Sequence, residues 1–335
     1  MAINIFDPPV SVIAEGLEGK VILIYGKNNL GKTYQATRFP KPYVLACEMG
    51  LNGISGVPYG VITRWSDFKS AVKQFTSDAT RDRARAAYST IIVDEVYASS
   101  LFCQDYVCST FGDGALTLAD GDSKHNLYQA YEKEYFKQIN LLVSAGFTVV
   151  FIAHEKTDTK TGYITPKGDK RCIDPIIDKC DYVVYLQGNG VDADNRVIKS
   201  SAYLAATNEF FARARIEYTP TFIKEFSAES LEAAIREGIN KKAEIEGAKV
   251  VSFEEQQKQN SVEELDFGGM VEEFNSIINS LVEKDENDFQ KNWASKITAL
   301  TDKHLGKGMK VNQCSSNQAE ALSLILTDLR EMVGR

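Results

Sequence analysis

Between Lys20 and Leu186 short apolar runs alternate with longer mixed segments. The runs at 21–25, 43–47, 90–93, 148–153 and 182–186 are nearly continuous in Val, Ile, Leu and Tyr rather than alternating with polar residues. That pattern predicts strands of a mostly parallel sheet covered on both faces by helices, an α/β fold. Leu127, Tyr131, Tyr135, Ile139 and Leu142 recur at helical spacing and predict a crossover helix before the fourth strand. After Gly188, Asn189 and Gly190 the segments 196–206 and 209–217 read as two strands of a β-hairpin turning at Thr207 and Asn208. Ser227 then caps a helix carrying Leu231, Ala234, Ile235 and Ile239 on one stripe. The first domain is expected to span 1–242.

Residues 243–266 are rich in Glu, Gln and Lys with few large apolar residues, which predicts a linker. Beyond it, apolar stripes through Phe274 and Ile277, through Trp293 and Leu300, and through Leu322 and Leu329 predict a small helical domain over 267–335.

Composition narrows the picture. A chain of 335 residues with 44% hydrophobic and 25% charged residues has material for a core, which excludes a disordered or low-complexity protein. The net charge of -8 excludes attraction of the whole surface to a polyanion, so a nucleic-acid site must be a local patch. No apolar run is long enough to cross a bilayer, and the first ten residues lack the pattern of a secretory signal, so a cytoplasmic location is expected. Six scattered cysteines read as free thiols of a reducing compartment; they and His125, His154 and His304 lack the local chelate spacing of a zinc site.

Directly after the first strong strand stands Gly26-Lys27-Asn28-Asn29-Leu30-Gly31-Lys32-Thr33, a full match to G-x-x-x-x-G-K-[ST]. Glycines let the backbone curl so that its N–H groups face phosphates, Lys32 reaches the terminal phosphates, and Thr33 offers a hydroxyl to Mg2+. The run 90–93 ends in Asp94 and Glu95, and Asp94 is the expected magnesium acid. Hydrolysis needs a group that orients or deprotonates water, and two glutamates compete: Glu48, ending the second strand, and Glu95. His154 ends the fourth strand at the same rim, where a polar side chain can sense the terminal phosphate.

Residues 156–171 read as a loop. Its basic residues Lys156, Lys160, Lys167, Lys170 and Arg171, with Tyr163 as an aromatic platform, suit the backbone and bases of a single strand. Arg213 and Arg215 lie two apart on a strand and so share a face, where an anion, such as the triphosphate of a neighbouring subunit, would relieve their repulsion.

In this order the motifs resemble the RecA-like P-loop ATPases of bacteriophages: the phosphate loop at Gly26 to Thr33, Glu48 followed by Gly50 and Leu51, Asp94, the strand ending His154-Glu155-Lys156, and Arg213-x-Arg215. The nearest group is the phage single-strand annealing and recombination ATPases with a shortened core. The resemblance covers residues 15–239 and implies an enzyme that uses ATP and Mg2+, binds single-stranded DNA, promotes annealing beside a phage single-strand DNA-binding protein, and works as a homo-oligomer. It places Glu48 as the base, where AAA-type ATPases place a residue like Glu95, and puts DNA contacts near 96–123, with Tyr97, Phe102, Tyr106 and Phe111, and near 156–171. Two other functions fit the same motifs: a replicative helicase or loader-like motor, and a nucleotide-dependent interaction protein without DNA binding.

Overall fold

The computed structural model describes residues 8–48, 50–121, 126–260 and 266–334. His125 and Ser123 therefore lie outside the described residues. The chain divides into two compact units, the larger spanning Pro9–Asn260 and the smaller built on the segment beyond it.

In the larger unit the elements follow the apolar runs. They begin with β1 (Ile13–Ala14), β2 (Val21–Gly26), α1 (Lys32–Ala36), β3 (Pro42–Ala46), β4 (Tyr59–Val61), α2 (Trp65–Thr76), α3 (Arg81–Ala87) and β5 (Thr90–Asp94). Next come α4 (Val96–Phe111), α5 (Leu127–Ser144), β6 (Thr148–Thr157), β7 (Ile164–Pro166), α6 (Lys170–Lys179) and β8 (Tyr182–Gln187). The unit ends with β9 (Ser201–Tyr203), β10 (Arg213–Ala214), β11 (Phe222–Ile223), α7 (Ala228–Glu246), β12 (Val250–Val251) and α8 (Phe253–Asn260).

The main sheet runs β4-β3-β5-β6-β2-β8-β9-β11, and its first six strands are parallel. Successive residues of β2 enter opposite cores: Leu23 and Tyr25 face α2, α4, α5 and α6, while Ile22 and Ile24 face the layer of Phe39 and α7. All four are fully buried. Each contributes roughly 1.5–3 kcal/mol by leaving water, which is why the strand tolerates no polar position. Helix α4 is fixed on α5 by two buried hydroxyl pairs, Ser99 with Tyr135 at 2.9 Å and Ser100 with Tyr131 at 2.8 Å.

Three readings of the sequence are corrected. The segments 196–206 and 209–217 do not form a hairpin with each other. Instead β9 and β10 both pair antiparallel with the outer edge of β8, at Tyr185–Gln187 and at Tyr182–Val183. An open edge beside β2 must have its N–H and C=O groups paired, and two short strands placed end to end do this. Tyr185 stacked on Phe210 with centroids 4.5 Å apart, and Tyr203 beside them, seal that edge.

Secondly, 243–260 is not a linker: α7 continues to Glu246, β12 pairs in parallel with β1, and α8 follows. Few apolar residues suffice here because two of them are driven into the core. Val251 and Phe253 are buried, and the Phe253 ring sits 2.3 Å from where a Cβ on Gly19 would stand, a residue with φ of 69°. Thirdly, β6 runs on to Thr157 and forms a hairpin with β7, and Lys170 and Arg171 open α6, so 156–171 is a hairpin and a helix start joined by short turns rather than one continuous loop.

In the smaller unit, α9 (Phe267–Lys284), the one-turn α10 (Glu286–Asp288), α11 (Ala294–Leu305) and α12 (Ala319–Val333) enclose Phe274, Ile277, Leu300, Leu322, Ile325, Leu326 and Leu329. These belong to the predicted stripes, except that Trp293 lies outside this core with Lys296 over its ring at 5.5 Å. Among the described residues no helix is long and apolar enough to cross a membrane.

Candidate active site

Strand order decides which side chains meet. β6 lies between β2 and β5, and pairing sets Gly26 opposite His154 and Asp94 opposite both Ile152 and Ala46. The ends of four parallel strands thus share one rim, the place where open sheets bind ligands. A cleft of about 300 Å³ opens there, lined by the loop residues Asn28 to Tyr34, Glu48, Gly50, Asp94, Ile152 and His154.

Gly26 must be glycine: its φ is 153°, and a Cβ would stand 2.7 Å from the Leu186 carbonyl oxygen. Gly31, at φ 79°, turns the chain into α1. Lys32 is buried, and its ammonium donates to the carbonyls of Gly26 at 2.9 Å and Lys27 at 2.6 Å. Burial pushes its pKa down, against the pull of Asp94. A buried ammonium held only by backbone carbonyls fits a phosphate oxyanion as its counter-charge.

Thr33 Oγ1 donates to Asp94 Oδ2 at 2.9 Å. Burial raises the Asp94 pKa, the Thr33 hydrogen bond opposes this, and Glu48 adds to the rise. A hydroxyl beside a buried carboxylate is a donor set that fits Mg2+, so Thr33 and Asp94 would hold the ion beside phosphates cradled by the loop. The bound ion would neutralise the charge of a polyphosphate and favour the ionised form of Asp94.

Glu48 is placed by its backbone: the N–H groups of Cys47 and Glu48 both donate to the Asp94 carbonyl, at 2.6 and 3.2 Å. Its side chain is exposed to the cleft. Glu95 differs sharply. It is 1% exposed, its carboxyl group lies against that of Glu48, and among the described residues neither oxygen has a well-formed hydrogen bond. Burial, then Glu48, pushes its pKa up to about 8, so it holds its proton at neutral pH. His154 is half-buried with Nδ1 unpartnered, and burial and Lys32 lower its pKa, which keeps the ring neutral. Atoms of Glu48, Glu95 and His154 lie within 4.8 Å of one another.

The basic residues are spread over several elements. Lys156 and Lys160 are exposed on the β6–β7 hairpin, Tyr163 is half-buried, and Lys170 is exposed at the start of α6. Lys167 lies over the Tyr97 ring at 5.3 Å and Arg171 over Tyr128 at 4.7 Å, so these two cations are seated on α4 and α5. Phe102 lines a neighbouring, mainly apolar cavity of about 670 Å³ between 46 and 63, and Tyr106 lies under Lys69. That cavity shares Glu48 with the cleft. The sequence reading missed it, although Asn52-Gly53 and Gly56 followed by Pro58 signal the irregular loop that forms it.

The arginine pair is not a free pair. Arg213 donates to the carbonyls of Ile177 and Asp178, each at 3.0 Å, and to that of Cys180, closing the C-terminus of α6. Arg215 pairs with Asp181 at 2.9 Å and stays 59% exposed. Arg213 is opposite Val183 near the start of β8, so both lie at the sheet end away from the phosphate loop of the same chain. Their repulsion is relieved by carbonyls and a carboxylate, with no ligand needed. Replacing Arg213 by Ala is expected to cost roughly 1–3 kcal/mol of stability, read as a lower denaturant midpoint. Unaltered stability would show that the α6 terminus does not depend on this side chain.

A family model described as an AAA domain matches residues 18–216, and the chain belongs to that family. The matched span contains the loop, Glu48, both strand-ending acids, His154 and both arginines, and makes the larger unit a P-loop nucleotide-binding domain. A relative 47% identical over 333 residues, covering 99% of each chain, is the SPbeta prophage-derived protein YorG of Bacillus subtilis (strain 168).

Proposed function

We propose that this chain is a Mg2+-dependent ATPase with a RecA-like core that binds single-stranded DNA and promotes annealing or recombination for a phage or prophage, in the host cytoplasm. The observation that carries the nucleotide half is the Thr33–Asp94 hydrogen bond beside the buried ammonium of Lys32. Glu48 is the base in this reading, because it faces the cleft while Glu95 is buried and protonated. His154, opposite Gly26, reads the terminal phosphate and passes its presence into the β6–β7 hairpin that its own strand forms. The prophage origin named for the relative supports the viral setting.

Single-stranded DNA is assigned to the hairpin and the start of α6, where Lys156, Lys160 and Lys170 are exposed against a net charge of -8. Replacing these three by Ala is expected to weaken oligonucleotide binding and to reduce the slope of log affinity against log salt by about 2, since each phosphate contact on a single strand adds about 0.7. An unchanged slope would remove the site from this face. The homo-oligomer rests on Arg215 alone, whose exposure lets it serve a neighbouring nucleotide. A phage single-strand DNA-binding protein is the proposed partner.

The independent core of the helical unit supports a second reading, a nucleotide-dependent interaction protein. That reading requires no DNA affinity at moderate salt, so the same binding measurement separates the two.

A further inference from the structure

We propose that Glu48, Glu95 and His154 form a binding site for a divalent transition metal of the zinc type, distinct from the magnesium position beside Thr33 and Asp94. The proposal stands on side-chain geometry and is independent of ATP turnover.

Glu48 and Glu95 follow β3 and β5 and His154 stands within β6, far apart in sequence, which is why no chelate spacing announces them. Each offers one ligand atom, and these lie within 4.8 Å of one another. Zinc bonds of about 2.0–2.2 Å need ligand atoms somewhat closer than that, a change that side-chain rotation supplies.

Glu95 adds an independent observation. A carboxyl group 1% exposed, with no well-formed hydrogen bond on either oxygen among the described residues and a second carboxyl group against it, is costly, and such a pair calls for an ion or a proton. A proton shared with Glu48 would satisfy the two carboxylates but leave His154 Nδ1 still unpartnered. A metal ion bound through that nitrogen would partner all three residues.

The donor set sets the metal class. One imidazole with two carboxylates suits Zn2+, Co2+ or Mn2+, whereas Mg2+ prefers oxygen donors and keeps most of its waters. The nearby ammonium groups of Lys32 and Lys167 oppose a cation and Glu48 favours one; binding would displace the proton that Glu95 holds and add its charge to that of Glu48. Because Glu48 is also the base of the proposed hydrolysis, a bound transition metal withdraws it from water and lowers turnover.

The test is titration of chelator-stripped, nucleotide-free full chain with Co2+ in excess Mg2+, followed by visible absorption and calorimetry. The expected result is a saturable absorption band from a single site. The band should persist in Asp94→Asn, and the affinity should weaken roughly tenfold or more in His154→Ala and in Glu95→Gln. Glu95→Gln keeps the side-chain shape, so it carries the test if His154→Ala folds poorly. Absence of the band, or equal binding in all these variants, overturns the proposal. The latter outcome would move the metal elsewhere, for example to His304 and Asp328, which lie 2.9 Å apart in the helical unit.

Discussion

Lys32→Ala is expected to lower ATP turnover by roughly a hundredfold or more while leaving the thermal midpoint nearly unchanged. The ammonium is buried, yet its partners are only the carbonyls of Gly26 and Lys27, so it contributes little to packing. With nucleotide bound, the same ammonium would turn from those carbonyls to phosphate oxygens and, in the proposed hydrolysis, would stabilise the charge that builds there. Turnover and circular dichroism on the same preparation check it. Full activity in a folded Lys32→Ala protein would place the nucleotide elsewhere.

Glu48→Gln should bind ATP as the unmodified chain does and hydrolyse it about 10²–10⁴-fold more slowly, the range lost with a general base. The geometry separates it from Glu95: one carboxylate is exposed in the cleft, the other enclosed and protonated. Glu95→Gln is therefore expected to reduce turnover much less than Glu48→Gln. Binding of a fluorescent nucleotide alongside single-turnover kinetics distinguishes a lost base from a lost ligand. If Glu95→Gln gives the larger loss, the proton sits on the other carboxylate in the nucleotide complex and the roles exchange.

These two residues show how far the sequence could be read. Both stood at the ends of apolar runs, so their arrival at one rim followed from parallel pairing, and so did that of Asp94 and His154. The choice between the glutamates was not legible, because it depends on which carboxylate the neighbouring strands and α4 cover. The phosphate loop was legible in full, since its glycine spacing encodes backbone angles that no other residue adopts readily.

Arg213 illustrates the opposite case. Two arginines two apart on a strand look like an anion site, but a guanidinium is also a good cap for the carbonyls ending a helix, and only the three-dimensional course of α6 reveals that use. Similarly, Val251 and Phe253 are too few to give a periodic signal. The burial of Phe253 depends on Gly19, more than two hundred residues earlier in the chain, leaving room for its ring.

The most direct measurement is steady-state phosphate release from ATP in Mg2+, with and without a single-stranded oligonucleotide. The account predicts Mg2+-dependent release that the oligonucleotide raises several-fold, with stimulation fading as salt displaces the DNA. Nucleotide binding with no release under either condition, or release indifferent to DNA at low salt, would contradict it.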